Sequence, residues 1–253
     1  MSTVTPLSEM PPAERIKKDP FHIDPYDVLS AHIDAIGGEK ALKSDRNMHA
    51  KGTVLLNGTS YEFEEFAEYP GKSRITYYFE GEEYFQKGDD GKQLWQSQNR
   101  ETRKFPDANS KSRKIREGMK SYEFADKKSE TFKVSFESVS YEKGEKVYNI
   151  RIKNNLTNEE FLNSYSADSF LLLKEDRKFS GENIVTYFDN YQNVNGKMTA
   201  FKKNVNNLTS KKTQDYVYET YKRNVTIEKS LFDPPEYELS IFNQVSKAAA
   251  ENQ

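Results

Sequence analysis

"AKGTVLLNGTSYEFEEFAEYP", residues 50–70, alternates apolar and polar side chains on both sides of Asn57-Gly58. Asn-Gly is the strongest short signal for a two-residue hairpin turn, because both residues tolerate the positive φ that the turn requires. Alternation with a period of two residues is typical of a strand that buries one face. We therefore expect two consecutive antiparallel strands here.

Further hairpins follow toward the C terminus. Turns are expected at Glu80-Gly81, at residues 89–91, at Lys143-Gly144 and at Asn195-Gly196, and residues 213–227 predict a last long strand. No unit recurs at a fixed spacing, which argues against a propeller or a solenoid. Apolar residues also run together, which favours bulges or a curved sheet with apolar side chains on both faces. The predicted fold class is mostly β with a few helices, built from about ten antiparallel strands.

One amphipathic helix is expected near the N terminus, in "DPYDVLSAHIDAIGGEKAL", residues 24–42. Asp24 is a good N-cap, Pro25 suits the first helical position, and Gly37 can adopt the left-handed conformation that ends a helix. Four apolar residues share one side at helical spacing and must be covered by another part of the protein. They are Val28, Leu29, Ile33 and Ile36.

The rest of the chain is organised around a single domain. Residues 1–23 hold four prolines and no sustained periodicity, so they are expected to form a flexible or surface-draped arm. Residues 24–240 form the domain, interrupted over residues 100–128 by a basic, polar excursion that favours a helix over residues 110–122. Residues 241–253 are expected to form a C-terminal helix that frays, or a tail.

Composition narrows the possible functions. Hydrophobic residues make up 35% of the chain, so the core must draw on 16 Tyr and 16 Phe, each of which buries roughly 150 to 250 Å². A net charge of −2 gives no general attraction to nucleic acid or to anionic membranes. No stretch approaches the roughly 20 apolar residues of a membrane-spanning helix. The absence of cysteine excludes disulfides, thiolate zinc sites and cysteine nucleophiles in this chain.

No catalytic or metal-binding pattern stands out. His22, His32 and His49 share no metal-ligand spacing, and neither a nucleophile elbow nor a phosphate loop is present. His32, on the apolar stripe of the helix, is either a satisfied structural residue or a group that senses pH or grips a polar head group. Adjacent carboxylates such as Glu64 and Glu65 point to opposite faces of a strand and do not converge on one substrate. We expect no enzymatic activity, no metal and no cofactor; enzymatic use of the scaffold is a third alternative.

Two stretches carry a resemblance to a known family. At the front, "AHIDAIGGEKAL" (residues 31–42) is followed by "MHAKGTV" (residues 48–54); at the back, "DNYQNVNGKMTAFKKNV" (residues 189–205) is followed by "YETYKRNVTIEKSLFDPPE" (residues 218–236). This order resembles the lipoprotein-sorting superfamily of bacterial envelope proteins, typified by LolA and LolB. The resemblance implies a strongly curved, unclosed antiparallel β-barrel with the N-terminal amphipathic helix as a plug or lid.

The resemblance also implies a function, that of a binding protein that shields a lipid or a lipoprotein acyl chain in an apolar half-barrel cavity. It implies a periplasmic or outer-membrane-associated location, with a signal or lipid anchor removed ahead of Met1; a native cytoplasmic start is the alternative. The same rings would equally fill a solid core. The side chains expected to line the cavity are Leu29, His32, Ile33, Ile36, Phe63, Phe66, Tyr77, Phe79, Phe85, Trp95, Phe136, Tyr148, Phe188 and Tyr218.

The alternative function is a protein-interaction or sensor module with a packed interior. Its rim, including the basic excursion, would dock on an envelope protein or on lipid head groups. Acidic residues interrupt this run and no aromatic ladder accompanies it, so nucleic acid is not an expected partner. The candidate partner-binding residues are Arg100, Arg103, Lys104, Arg113, Lys114 and Arg116.

The last apolar pair of the chain, Leu231 and Phe232, stands just before Pro234-Pro235. Proline cannot extend the hydrogen-bond ladder of a sheet. We expect the pair to end the final strand, to turn inward and to act as core rather than as ligand contacts.

Overall fold

The computed structural model of the chain describes residues 9–19, 21–106, 122–179 and 181–237. Within them the protein has three α-helices and one sheet of thirteen strands. The helices are α1 (Pro12–Lys18), α2 (Pro25–Ala35) and α3 (Gly38–Ser44). The strands are β1 (Asn47–Leu56), β2 (Thr59–Glu68), β3 (Lys72–Phe79), β4 (Glu82–Asp89), β5 (Gln93–Gln98), β6 (Glu101–Pro106), β7 (Phe132–Glu142), β8 (Glu145–Asn154), β9 (Glu160–Ser166), β10 (Leu172–Phe179), β11 (Glu182–Val194), β12 (Lys197–Asn207) and β13 (Lys212–Arg223).

The sheet is antiparallel throughout and has the strand order β6-β5-β4-β3-β2-β1-β13-β12-β11-β10-β9-β8-β7. Neighbouring strands in the sheet are consecutive in the chain except for β1 and β13, which pair with each other and place Val54 opposite Tyr216. β6 and β7 are the two edges, so the sheet does not close. The prediction of a mostly β protein with one unclosed antiparallel sheet is confirmed.

The predicted number of about ten strands is wrong, because two segments contain strands that the sequence pattern did not separate. Glu101–Pro106 lies in the basic segment, which shows no clear apolar alternation, yet it pairs with β5 as an edge strand. Residues 160–179 form one aromatic and apolar run in the sequence. The chain reverses at Phe170, where φ is 57°, and the run becomes two paired strands, β9 and β10.

The expected hairpin turns are present where the sequence places them. Asn57 and Gly58 have φ angles of 49° and 91°, and Asn195 and Gly196 have 53° and 85°. Two positive φ angles in a row give the turn a twist that matches that of the flanking strands. The turn chemistry therefore sets the register of each hairpin locally.

Helix α2 begins and ends at the predicted signals. The Asp24 carboxylate accepts a hydrogen bond from the backbone N–H of Tyr26 at 2.9 Å, and Pro25 opens the helix. Gly37 has a φ of 124°, and a Cβ there would collide with the carbonyl oxygen of Gly196, so glycine lets the end of the helix lie against the β11–β12 hairpin. The backbone N–H of Met198 then donates to the Ile36 carbonyl at 3.1 Å.

Helix α1 lies in the segment for which the sequence predicts a flexible or surface-draped arm. Ile16 is 2% exposed and packs in the same apolar cluster as α2. Arg15 Nε donates to the carboxylate of Asp27 at 2.9 Å. One buried apolar residue gives too little periodicity to predict a helix, and α1 is ordered because α2 offers it a partner. The wider division into arm, domain and tail stays a prediction, and residues 238–253 lie outside the described residues.

Contacts between distant strands show how strongly the sheet is curved. β3 and β13 are separated by β2 and β1, so a flat sheet would hold them about 14 Å apart. The hydroxyl oxygens of Tyr77 on β3 and Tyr216 on β13 nevertheless lie 3.0 Å apart. Phe63 on β2 meets Tyr218 on β13 edge to face, with ring centroids 5.2 Å apart. These side chains lie on the concave side of the sheet, which we call the inner face.

Two apolar clusters divide the inner face. In the helix-covered cluster, Val28 and Leu29 of α2 pack on Ile150, Phe161 and Tyr165 of β8 and β9. The open cluster is formed without residues of α2 by the inner-face side chains of β1, β2, β3, β12 and β13. Helix α2 therefore fills only one half of the curved sheet. A role for it as a plug or lid stays a prediction.

The C-terminal segment lies on the opposite, outer face. The Trp95 indole Nε1–H donates to the Phe232 carbonyl at 2.9 Å, and Arg74 donates to the Leu231 carbonyl at 3.2 Å. Phe232 is 1% exposed and is core, as expected, whereas Leu231 is half-buried. The expectation that this pair ends the final strand and turns inward is wrong. β13 ends at Arg223, and the pair forms a short 3-10 turn, Lys229–Phe232, that covers Trp95 from outside.

Candidate functional site

An open groove with a volume of about 470 Å³ lies on the inner face next to the open cluster. One wall comes from β3 to β6 and the other from β12 and β13. Six strand spacings separate β5 from β12 in the sheet order, so only the curvature brings these two walls together. Its wall residues include Ile75, Tyr77, Leu94 and Phe105 on one side and Val205, Tyr216 and Tyr218 on the other.

In the wall formed by β3 to β6, the strand register aligns side chains in rows that run across the strands. Glu65, Ile75, Lys87, Gln96 and Arg103 are successive partners across β2, β3, β4, β5 and β6. Side chains directly opposite each other on neighbouring strands share one face of the sheet. We call this set the charged row, because it carries a carboxylate at one end and two cations toward the other.

A hydrogen-bonded chain of tyrosine hydroxyls satisfies the polar atoms of the aromatic wall. The Tyr216 hydroxyl donates to Gln214 Oε1 at 2.9 Å and therefore accepts from the Tyr77 hydroxyl at 3.0 Å. Burial raises the pKa of Tyr77 and Tyr216 well beyond neutral pH, so both stay protonated. The ring faces are left to contact apolar groups.

A second chain of hydrogen bonds links the charges of Lys203 and Glu65 in the groove. Lys203 Nζ donates to the Tyr218 hydroxyl at 3.2 Å, and that hydroxyl donates to Glu65 Oε2 at 3.1 Å. Lys203 also lies 4.8 Å from the centroid of the Tyr218 ring. Burial, followed by the nearby carboxylate of Glu65, raises the pKa of Tyr218. Lys203 and Glu65 are thus linked through one hydroxyl.

Lys87 is left without such a partner. Within the described residues its ammonium makes no ion pair or hydrogen bond, and it lies 5.9 Å from the centroid of the Tyr77 ring. The side chain is exposed at the groove, whose other lining residues border it. This partial desolvation lowers the pKa of Lys87, and the charge of Glu65 acts in the opposite direction.

A smaller, more polar pocket of about 260 Å³ adjoins the groove at the edge of the sheet. Phe85, Gln98, Glu101 and Arg103 line it, and Gln96 lines both the pocket and the groove. The charged row therefore lines both cavities: Glu65, Ile75, Lys87 and Gln96 border the groove, and Gln96 and Arg103 border the pocket. The arrangement offers an apolar compartment beside a polar one.

The structure places some of the predicted cavity residues at these cavities. Tyr77 and Tyr218 border the groove and Phe85 borders the smaller pocket. Trp95 also contributes to the groove wall, but it is adjacent to the inner-face Gln96 on β5, so its side chain points to the outer face. There it is 1% exposed and its indole N–H donates to the Phe232 carbonyl, so it does not fit a cavity role.

Other predicted residues lie on the inner face away from the groove. Phe63 is 2% exposed within the open cluster, and Phe79 is 41% exposed, with its ring 5.5 Å from that of Tyr61. Phe188 lies opposite Lys203, on the inner face of β11.

The helix-side candidates belong to the packed half of the sheet. Leu29 and Tyr148 are buried in the helix-covered cluster, and Phe136 packs against it. His32 is 3% exposed and bonded through Nδ1 to the Phe170 carbonyl at 2.8 Å. Ile36 is buried and Ile33 is half-buried on the same helix. In the helix-covered half of the sheet, these side chains form a packed core and do not line a cavity.

Phe66 does not fit a cavity role. It stacks on His49 with ring centroids 4.3 Å apart, and His49 Nε2 contacts the Glu64 carboxylate at 2.7 Å, on the outer face. Phe66 is three residues from Phe63, and side chains an odd number of positions apart on a strand point to opposite faces. The prediction that both Phe63 and Phe66 line the cavity is therefore wrong for Phe66.

The basic excursion is only partly described. Arg100 lies in the β5–β6 turn, and Arg103 and Lys104 are exposed on β6. Arg113, Lys114 and Arg116, and the helix expected over residues 110–122, lie outside the described residues apart from Tyr122. A partner-binding role for this segment stays a prediction.

The groove residues that the sequence missed are Glu65, Ser73, Arg74, Ile75, Lys87, Gly88, Leu94, Gln96, Phe105, Lys203, Val205 and Tyr216. Two-residue alternation from Tyr77 points to Ile75. The residues of β12 and β13 have no such local signal, since their position depends on the pairing of β1 with β13.

Among the described residues no three acidic or histidine side chains are grouped so as to hold a metal ion. None of the helices described is long and apolar enough to span a bilayer.

Comparison with solved structures finds similar folds at low sequence identity. A protein from Vibrio parahaemolyticus named for an outer membrane lipoprotein-sorting domain has a TM-score of 0.58 at 10% identity, over 82% of this chain and 95% of that one. A DUF1329 family protein from Desulfovibrio piger has a TM-score of 0.57 at 10% identity, over 83% and 98%. A LolA superfamily protein from Nitrosomonas europaea has a TM-score of 0.53 at 11% identity, over 83% and 98%.

No family model and no curated protein sequence matches the chain. At 10% to 11% identity, the likeness to solved structures bears on the fold and not on the activity. This protein therefore has a LolA-like fold, as the resemblance in its sequence predicted.

Proposed function

We propose that this protein is a non-enzymatic binding protein of the bacterial cell envelope that holds a lipid or lipoprotein acyl chain in the inner-face groove. The observation that carries the proposal is an open, aromatic-walled groove of about 470 Å³ beside a half-sheet that α2 has filled. This volume lies within the range of about 300 to 1,000 Å³ that small-molecule sites occupy.

The wall chemistry suits a hydrocarbon chain. Ile75, Leu94, Phe105 and Val205 offer apolar surface, and the Tyr77 hydroxyl is already bonded to Tyr216. Each methylene removed from water contributes about 0.8 kcal/mol. A partial chain is therefore held tightly without any covalent step, and it leaves again when a more apolar acceptor is offered.

Helix α2 acts in this proposal as a plug. Val28 is 0% and Leu29 1% exposed in the helix-covered cluster. Burial this complete makes removal of the helix costly, because each large apolar side chain contributes about 1.5 to 3 kcal/mol when buried. The groove is then reached from its open side, past Phe105 and Leu94, which are 45% and 40% exposed.

The similar structures also support a role in binding acyl chains. Two of the similar structures are named for lipoprotein sorting and for the LolA superfamily. We extend from these names to this chain a periplasmic or outer-membrane-associated location and an acyl-chain ligand.

Native mass spectrometry and lipid extraction of the purified chain test the proposal. We expect co-purifying lipid, or saturable binding of a fluorescent fatty acid when the protein is isolated empty. Ile75→Trp places a larger side chain in the groove, so it should weaken binding of the probe at least about tenfold, or about 1.4 kcal/mol.

Leu55→Trp is the matched control, since Leu55 is 43% exposed and follows the buried inner-face Val54, which puts it on the outer face. Its probe affinity should equal that of the wild type. A protein that neither carries lipid nor binds the probe, or an Ile75→Trp variant that binds as well as Leu55→Trp, would refute acyl-chain binding in this groove.

A further inference from the structure

We propose that the ligand is an acyl amphiphile with an anionic head group, a phosphate ester or a carboxylate, and that Lys87, Gln96 and Arg103 bind this head group. The inference rests on the proposed function, which supplies the acyl chain, and adds the chemical class of the head. It follows from the register of the charged row and from the position of that row between two cavities.

The three residues form one line across the edge of the sheet. Lys87 on β4 is opposite Gln96 on β5, and Gln96 is opposite Arg103 on β6. Neighbouring strands lie about 4.8 Å apart, so the backbones that carry the two cations are about 10 Å apart with an amide between them. A tetrahedral phosphate or a planar carboxylate fits between two such side chains, whose flexible stems converge on it.

Within the described residues, the two cations of the row have no direct ion-pair partner where the head group would lie. Glu65, at the far end of the row, is bonded to the Tyr218 hydroxyl and through it to Lys203. Within the described part of the chain, neither Lys87 nor Arg103 forms an ion pair or a side-chain hydrogen bond. Two carboxylates lie on the same face beside the row: Asp89, two residues from Lys87 on β4, and Glu101, two residues from Arg103 on β6. Asp89 is 4% exposed and accepts a hydrogen bond from the backbone N–H of Gly91 at 2.9 Å. Within the row itself, no carboxylate stands between Lys87 and Arg103, because Gln96 is the residue that pairs with both.

The two cavities give the amphiphile an orientation. The larger groove, with Ile75 and Phe105 in its walls, takes the hydrocarbon chain. The smaller pocket, with Arg103 and Gln98 in its walls, takes the polar end, and Gln96 lies at the junction because it lines both. Lysine supplies a mobile point charge and arginine a planar fork that pairs with two oxygens, so the set suits an oxyanion better than a neutral hydroxyl.

The test compares two ligands that differ only in the head group, 1-palmitoyl lysophosphatidate and 1-monopalmitoylglycerol, each displacing a fluorescent fatty acid from the full chain. We expect the anionic ligand to bind at least about tenfold more tightly, or about 1.4 kcal/mol. In the double variant Lys87→Gln/Arg103→Gln this preference should fall to about twofold or less, because the affinity for lysophosphatidate should fall about fivefold more than the affinity for monopalmitoylglycerol.

The matched control is Arg46→Gln/Lys133→Gln, which removes the same two charges from exposed positions that line neither cavity. It should keep the wild-type preference, which separates local recognition from net charge. Thermal unfolding of all variants establishes that each is folded before its affinities are compared.

The outcomes separate the two levels of the proposal. Equal binding of both lipids by the wild type overturns the head-group assignment and leaves acyl binding standing, whereas binding of neither lipid overturns the proposed function itself. A preference that survives in Lys87→Gln/Arg103→Gln overturns the role of the row. Displacement of lysophosphatidate by inorganic phosphate at equal concentration would make the row a site for free phosphate and overturn the amphiphile.

Discussion

Lowering the pH from neutral toward 4 is expected to remove about 3 kcal/mol of folding stability through His32 alone. The side chain is 3% exposed and its Nδ1–H donates to the Phe170 carbonyl at 2.8 Å, which assigns the remaining proton site to Nε2. The rings of Tyr165 and Tyr122 lie 4.7 and 5.8 Å away. Burial among them lowers the pKa of His32 from 6.5 to about 4, against the opposing effect of the bond to Phe170.

The sign follows from proton binding in the two states. Between pH 6.5 and about 4 the imidazole is protonated in the unfolded chain and neutral in the folded protein. The unfolded state then binds more protons, so stability falls as the pH falls. The contribution is complete above pH 6.5 and has been lost near pH 4. At about 1.36 kcal/mol for each pKa unit, the loss is about 3 kcal/mol.

Urea unfolding followed by the fluorescence of Trp95, the single tryptophan, measures this loss over a series of pH values. His32→Asn keeps an amide N–H for the Phe170 carbonyl and does not titrate. Over the same pH range, the variant should therefore lose about 3 kcal/mol less stability than the wild type loses. His22→Asn, at a side chain that is 84% exposed, is the control and should follow the wild type. If His32→Asn loses as much stability on acidification as the wild type, the histidine is not held neutral by burial.

Two further predictions concern buried anchors. Phe232→Ala is expected to lower the free energy of unfolding by about 3 to 5 kcal/mol, because the ring is 1% exposed; Leu231→Ala, at a half-buried side chain, should cost clearly less in the same urea titration. Asp45→Asn is expected to cost about 3 to 5 kcal/mol, because Lys197 and Arg223 share a carboxylate that is 7% exposed and would be left as two uncompensated cations.

Each has an outcome that would contradict it. Equal losses for Phe232→Ala and Leu231→Ala would mean that the C-terminal turn does not insert its phenylalanine under the outer face. Asp34→Asn removes a carboxylate from the exposed side of α2 and serves as the reference for Asp45. A cost at Asp45 no larger than at Asp34 would show that the two cations find other partners.

The candidate site was predictable from the sequence only in part. Tyr77 and Tyr218 were selected as aromatic residues of expected strands, and they border the groove. Lys87 and Lys203 were not selected, because in the sequence they are two charged residues among many. Whether these lysines line the groove depends on the face of the sheet that they occupy and on the strand that lies opposite them. Even where period two decides the face, as for Phe63 and Phe66, a bulge shifts it, and the β3–β4 pair has one between Tyr77 and Tyr78.

By itself the sequence determined the local units of this protein: the hairpins at Asn57-Gly58 and Asn195-Gly196, and the helix between Asp24 and Gly37. These depend on backbone φ preferences and on capping hydrogen bonds within a few residues, which the residue types alone decide. The tertiary structure decided the pairing of β1 with β13, the outward position of Phe232, and the meeting of Ile75 with Tyr216 across one groove. Such contacts join residues more than a hundred positions apart. The contact across the groove forms only when the whole sheet bends to bury its aromatic face, and no short pattern of residues encodes that bend.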